Sequence, residues 1–339
     1  MIVDLRSDTV TKPGPGMIEA MFSAKVGDDV FEEDETVNLL EEKLAGMFGM
    51  EAGLFCPSGT MTNQIAIKCF TQPMDEVITD ETAHVYRYEG GGIAFNSGAS
   101  VRLLYGDRGK LTAEMIEGNI NPDNIHYPRT SLIVLENSIN KGGGSYYTLS
   151  EIEPIYHLAR LKKLNLHVDG ARIFNALTES GDKAAEYGRM FDGISVCLSK
   201  GLGAPVGSVL LGSLQTIAKA KRIRKVLGGG MRQAGYLAAA GIYALDNNLE
   251  RLKTDHIHAK AIETELKECS YIKSILPVET NIIIFKLNER HNAGFFVEKL
   301  ADKGIKCNAY GNDGIRFVTH LDVTAAMIDH AIDTLKKIN

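Results

Sequence analysis

Two short segments carry residues able to do chemistry together. His-Val-Asp-Gly-Ala-Arg (167–172) closes an apolar run with Asp169, and Ser199-Lys200 closes the next such run, 31 residues after that aspartate, among glycines. A lysine amine condenses with an aldehyde to a Schiff base. A carboxylate keeps a pyridine nitrogen protonated, so that the ring withdraws electrons from a carbanion at Cα. A lysine beside glycine is most often part of a surface loop, but the strand-end aspartate at this spacing favours chemistry. The pair points to pyridoxal 5'-phosphate held on Lys200.

Other segments fit around such a cofactor. Cys56-Pro57-Ser58-Gly59-Thr60 follows an apolar run and opens a helical one, so its free N–H groups suit a phosphate. By itself the segment is no more than a helix cap. Gly228-Gly229-Gly230-Met231-Arg232-Gln233 follows Arg222-Ile223-Arg224-Lys225; the glycines permit close backbone approach and the cations suit a phosphate shell, with Arg232 expected just inside the next helix. A flexible turn beside a solvated basic helix is the plain alternative. His84, in a segment with Tyr86, Tyr88 and Gly90-Gly91, has a ring that can lie on a pyridine face. His126, ahead of a strand, can exchange a proton with a substrate hydroxyl. Sequence alone brings neither histidine to the site. Arg172 and Arg316 offer planar guanidinium forks that match a carboxylate, although an arginine opening a strand is otherwise a rim ion pair.

The elements that must position these residues follow from apolar patterning. Short apolar runs recur at 53–56, 76–78, 101–105, 132–135, 166–168, 194–198 and 208–211, with helical spacing in 36–47, 61–70 and 150–163. Buried strands alternating with helices predict an α/β fold: a mixed, mostly parallel sheet flanked by helices, forming a large cofactor domain. Ligands in such sheets bind beyond the carboxyl ends of the strands. Helices are expected at 232–247, 254–268, 293–303 and 324–338, with strands at 280–287 and 315–319. They predict a smaller C-terminal α/β domain. The boundaries read as an N-terminal arm (1–16), held irregular by Pro13-Gly14-Pro15-Gly16, a large domain (17–249) and a small domain (250–339).

Composition excludes several classes. The 339 residues include 37 Lys plus Arg against 43 Asp plus Glu, a formal net charge of −6 that offers no nucleic-acid footprint. Five scattered cysteines lack metal spacing and read as reduced thiols of a cytoplasmic protein. No metal, secretory signal or membrane span is expected, and the partner is a small-molecule substrate.

Six blocks then carry a family resemblance. Arg-Ser-Asp-Thr-Val-Thr-Lys-Pro (6–13), Gly-Asp-Asp-Val-Phe-Glu-Glu-Asp (27–34), Pro-Ser-Gly-Thr-Met-Thr-Asn (57–63), His-Val-Asp-Gly-Ala-Arg (167–172), Ser-Lys-Gly-Leu-Gly-Ala-Pro-Val-Gly-Ser (199–208) and Gly-Gly-Gly-Met-Arg-Gln-Ala-Gly (228–235) resemble the low-specificity L-threonine aldolases. These are pyridoxal-phosphate enzymes of the aspartate aminotransferase fold group. The resemblance runs in order from Arg6 to about Arg316. It implies retro-aldol cleavage of L-threonine, L-allo-threonine and other L-β-hydroxy-α-amino acids to glycine and an aldehyde. Lys200 would bind the cofactor, Asp169 would face the pyridine nitrogen, and His84 would stack on the ring. Gly59 and Thr60 would hold the phosphate, with Arg232 and Lys225 reaching in from a neighbouring subunit of a homotetramer. Ser7, Arg172 and Arg316 would hold the substrate carboxylate, with Tyr88 lining the pocket and His126 near the β-hydroxyl. One departure is Ile139, where the family often has histidine; any hydrogen bond from that side chain is lost. A β-eliminating lyase or aminotransferase would share most of these residues, and the blocks at 6–13, 27–34 and 228–235 are what favour the aldolase. A non-catalytic cofactor-binding protein would lack the lysine or add a nucleic-acid domain.

Overall fold

The computed structural model describes residues 1–338. In chain order its strands are β1 (Val3–Asp4), β2 (Ala52–Cys56), β3 (Asp75–Asp80), β4 (Ser100–Leu104), β5 (Arg129–Glu136), β6 (Asn165–Gly170), β7 (Gly193–Cys197), β8 (Ser208–Gly212), β9 (Ile272–Ile275), β10 (Ile282–Leu287), β11 (Ile305–Lys306), β12 (Asn308–Tyr310) and β13 (Gly314–Val318). Seven of them form one sheet in the order β2-β8-β7-β6-β5-β3-β4. Only β8 runs against its two neighbours; the remaining contacts in the sheet are parallel.

Burial on both faces explains the parallel arrangement. Every residue of β7 and β8 is buried, as are all but the first residues of β5 and β6. Successive side chains of a strand serve opposite faces. Ile133 and Leu135 of β5 join an apolar cluster with Val37, Leu40, Ile152 and Ile155, drawn from helices Glu35–Phe48 and Leu149–Lys162. Leu132 and Val134 join another with Ile67 of helix Gly59–Phe70. The hydrophobic runs are continuous because each strand is covered twice.

A separate apolar cluster unites Val3 and Leu5 with residues from Ala259 to Ile338. It surrounds a four-stranded antiparallel sheet in the order β12-β13-β10-β9. Residue 250 lies in the turn between helices Gly235–Asn247 and Leu252–Glu268. The first residues are more regular than expected. β1 pairs in parallel with β11, Val3 opposite Ile305 and Asp4 opposite Lys306. Pro13–Gly16 does not bar a helix either, since Pro15 is the first residue of helix Pro15–Phe22. A proline there has no N–H to lose and a φ already suited to the helix. Among the described residues no helix is long and apolar enough to cross a membrane.

Candidate active site

Parallel pairing brings the chemistry to one sheet edge. Glu136, Asp169 and Ser195 are register partners on β5, β6 and β7, so the carboxyl ends of these strands lie side by side. Lys200 follows β7 by three residues. Its carbonyl accepts hydrogen bonds from the Thr11 hydroxyl at 3.0 Å and from the Gly203 N–H at 2.8 Å, which fixes the backbone beneath the amine. A cavity of about 510 Å³ opens here, with Ser7, His84, Tyr88, Arg172, Lys200 and Arg316 on its wall. That volume suits a small ligand. Larger hollows elsewhere on the surface lack this combination of amine, imidazole and guanidinium.

Asp169 sits just behind the wall. It is buried; Oδ1 accepts the Ala171 N–H at 3.1 Å, whereas Oδ2 is buried without a partner. A buried carboxylate oxygen left unpaired is costly unless a ligand completes it. His84 lies next to it: a His84 ring nitrogen and carboxylate oxygens of Glu89 and Asp169 all fall within 4.8 Å of one another. That spacing would also suit a cation, but His84 Nδ1 is already engaged by Glu89 Oε1 at 3.0 Å. Glu89 is held in turn by the side-chain amides of Asn63 (2.9 Å) and Gln64 (2.6 Å). Burial works against protonated His84, but the Glu89 hydrogen bond and the charges of Asp169, Glu89 and Glu136 prevail and raise its pKa. Glu136 accepts the His84 N–H at 2.8 Å and the Asn140 N–H at 2.8 Å. Burial, then the charge of Asp169, pushes its pKa up to about 7.

The carboxylate end is arranged differently from the expected pair of free forks. Arg172 is buried and gives Nε and Nη2 to Asp8, both at 2.7 Å, so its bidentate edge is already used within the protein. Arg316 is the less committed cation: its Nη1 donates to the Arg6 carbonyl at 3.3 Å and its Nε is buried without a partner. Burial first, and then the nearby charge of Arg172, lowers the Arg316 pKa to about 10. Two guanidiniums facing one carboxylate leave a site that favours a further anion. Ser7 lines the same cavity, its hydroxyl accepting from Thr9 N–H at 3.2 Å. Removing Asp8 strands Arg172 as a buried, unpaired charge. Asp8→Ala is expected to cost about 3–5 kcal/mol of stability, read as a lower urea midpoint at unchanged m.

Several expected site residues lie elsewhere. Gly59 and Thr60 start the twelve-residue helix Gly59–Phe70, capped by Ser58 Oγ on Met61 N–H at 3.2 Å. Register through Cys56, Ser208 and Cys197 sets that helix start beside the end of β7, though not on the cavity wall. Lys225 and Arg232 are exposed and do not line the cavity; Arg232 pairs with Asp28 at 2.8 Å. Arg232 also precedes its helix, which starts only at Gly235, because Asp34 Oδ2 takes the Gly235 N–H at that point. His126 is not among the residues lining the cavity. It is exposed and lies before β5, whose eight residues carry the chain roughly 26 Å to the catalytic edge. Ile139 is buried in the main core and is not on the cavity wall, so its lack of polarity leaves the wall unchanged. Asp8, Glu89, Glu136, Lys141 and Tyr310 are additional site residues. Asp8 and Glu89 stood in plain view within the Arg-Ser-Asp and His-Val-Tyr-Arg-Tyr-Glu segments.

The chain is similar to known proteins along nearly its whole length. The family model described as beta-eliminating lyase matches residues 4–290. The low specificity L-threonine aldolase of Escherichia coli (strain K12) is 41% identical over 324 residues, covering 95% of each chain. Low-specificity L-threonine aldolase 1 of Arabidopsis thaliana is 40% identical over 342 residues, covering 99% of this chain and 96% of its own. The solved threonine aldolase of Leishmania major superposes with a TM-score of 0.87 at 20% identity, covering 99% of both chains, and bears on the fold.

Proposed function

The chain belongs to the beta-eliminating lyase family, alongside the low-specificity L-threonine aldolases, and from that premise we propose that it cleaves L-threonine and L-allo-threonine to glycine and acetaldehyde, and other L-β-hydroxy-α-amino acids to glycine and the matching aldehyde. The observation that carries the reading is a single cavity presenting Lys200, His84 and Arg316, backed by the unpaired Oδ2 of Asp169. These residues fit pyridoxal 5'-phosphate. Lys200 would hold its aldehyde carbon, Asp169 Oδ2 would answer its ring nitrogen, and His84 would flank the ring. The open start of helix Gly59–Phe70, with Gly59 and Thr60, would take its phosphate. When bound, the cofactor supplies an electron sink conjugated to the substrate's Cα.

The chain's own groups direct the cleavage. Arg316, with Ser7 and the remaining edge of Arg172, grips the α-carboxylate. Fixing that group decides which bond at Cα is weakened. Because the grip leaves the β-substituent free, substrates differing at Cβ are tolerated. His84 takes the β-hydroxyl proton at Nε2; Glu89 occupies Nδ1 and raises the basicity of the ring. Product analysis tests the reading: L-threonine should yield equimolar glycine and acetaldehyde. Formation of 2-oxobutyrate and ammonia, or amino transfer to an added oxo acid, would reassign it to elimination or transamination. Arg316→Lys keeps the charge and loses the fork. We expect KM for threonine to rise about tenfold or more, and equal reactivity of threonine esters would move the grip elsewhere.

The active unit is a homo-oligomer of shared sites, a tetramer by resemblance, in the cytoplasm. Lys225 and Arg232, exposed and unused by their own protomer's cavity, complete the phosphate shell of a neighbour. The catalytic cleft lies between a large domain (17–249) and a small one (250–339). Mixed Arg232→Ala and Lys200→Ala protomers should regain activity in hybrid sites. No regain despite measured subunit exchange would count against sharing.

A further inference from the structure

One cation on the cavity wall has no role in the chemistry above. Lys141 lies on the loop after β5, and its ammonium sits 4.3 Å from the ring centre of Tyr310 and 5.2 Å from that of Tyr88. It forms no ion pair among the described residues. Its position is anchored: the Tyr310 hydroxyl donates to the Lys141 carbonyl at 3.2 Å, and the adjoining Asn140 N–H is held by Glu136 at 2.8 Å. The other wall cations are committed. Arg172 is paired with Asp8, Arg316 serves the α-carboxylate and Lys200 serves the cofactor. The one carboxylate on the wall, Glu136, has both oxygens occupied by backbone N–H groups. Tyr88 also lies against His84, with ring centres 5.7 Å apart. Lys141 therefore stands one ring beyond His84 on the cavity wall; with His84 at the β-hydroxyl, as the aldolase reading has it, its ammonium is placed for a group carried on Cβ.

Resting on the aldolase reading, we infer that Lys141 is a specificity residue that receives an anionic β-substituent, so that the pocket favours β-hydroxy-α-amino acids bearing a second carboxylate at Cβ. The two tyrosine faces hold the ammonium in place without neutralising it, which leaves its charge available to a substrate. For 3-hydroxyaspartate the Cα–Cβ bond breaks with its electron pair left on Cα. The β-hydroxyl loses its proton as the carbonyl forms, and Cα takes up a proton. Glycine and glyoxylate result, with every atom accounted for.

Two measurements test this. With holoenzyme, kcat/KM is determined for L-threo-3-hydroxyaspartate and for L-threonine in the wild type, Lys141→Gln and Lys141→Arg. The ratio of the two values should fall about 10- to 100-fold in Lys141→Gln, the loss of one charge-assisted contact, and largely return in Lys141→Arg. A ratio unmoved in Lys141→Gln overturns the proposal. Separately, calorimetry compares L-aspartate, which has no β-hydroxyl to cleave, with L-alanine. The wild type should bind aspartate more tightly, and Lys141→Gln should erase that difference; equal binding of both by the wild type also overturns it. Failure of the wild type to cleave threonine would instead strike the aldolase reading, and the calorimetry would still decide the role of Lys141.

Discussion

Lys200→Ala abolishes turnover, with a loss of more than about 10³-fold, because it removes the one amine among the described residues that is placed to bind the cofactor covalently. No other lysine on the cavity wall can substitute, since the ammonium of Lys141 is held away over the rings of Tyr88 and Tyr310. The fold should be unaffected. Lys200 is only part-buried, and its structural contacts run through its backbone carbonyl, which alanine retains. The wild-type protein should be yellow, and borohydride should fix the cofactor's mass on the peptide containing Lys200. Unchanged circular dichroism with lost colour and lost turnover is the expected pattern. A fixed mass on any other lysine would remove the basis of the site.

Asp169→Asn tests the electrostatic half of the same pair. The substitution preserves shape, and the amide oxygen can still accept the Ala171 N–H now bound by Oδ1. What disappears is the negative charge at Oδ2, the buried atom left without a partner in the chain. Without that charge a ring nitrogen beside it is not kept protonated, and the electron sink weakens. Turnover should fall by about 10²- to 10³-fold, the scale seen when one preorganised electrostatic contact to a developing charge is removed. Cofactor retention should fall less, because the covalent link and the phosphate contacts remain. An Asp169→Asn enzyme of near-normal turnover would mean that the buried oxygen serves packing alone.

How much of this was legible in the chain depended on whether sequence neighbours were also neighbours in space. Asp169 and Lys200 could be read because one lies at, and the other just past, the carboxyl end of neighbouring buried parallel strands, and such strands deliver those residues to one edge. Arg172 could be placed at that edge but not given its partner. Asp8 lies 164 residues away and reaches it only because β1 pairs with β11 and draws the N-terminus over the cleft. His126 shows the opposite case. It precedes the strand whose far end, Glu136, belongs to the site, and proximity in sequence to β5 put it at the wrong end of that strand. Arg232 was expected inside a helix because the following residues have helical spacing, but the helix starts at Gly235, where Asp34 takes the first N–H. Lys141, on the loop after β5, and Tyr310, on β12 of the other sheet, are far apart in sequence and meet only at the cavity wall.

The most direct test of the central claim follows a single hydrogen. L-Threonine deuterated at Cα is turned over briefly, and the products are weighed by mass spectrometry. Retro-aldol cleavage breaks Cα–Cβ and leaves the Cα–H bond intact, whereas elimination and transamination both begin by removing the Cα hydrogen. The account predicts glycine carrying one deuterium at Cα, acetaldehyde in equal amount, and no large isotope effect on the initial rate. Release of the deuterium to solvent together with 2-oxobutyrate, and a slowed initial rate, would contradict it.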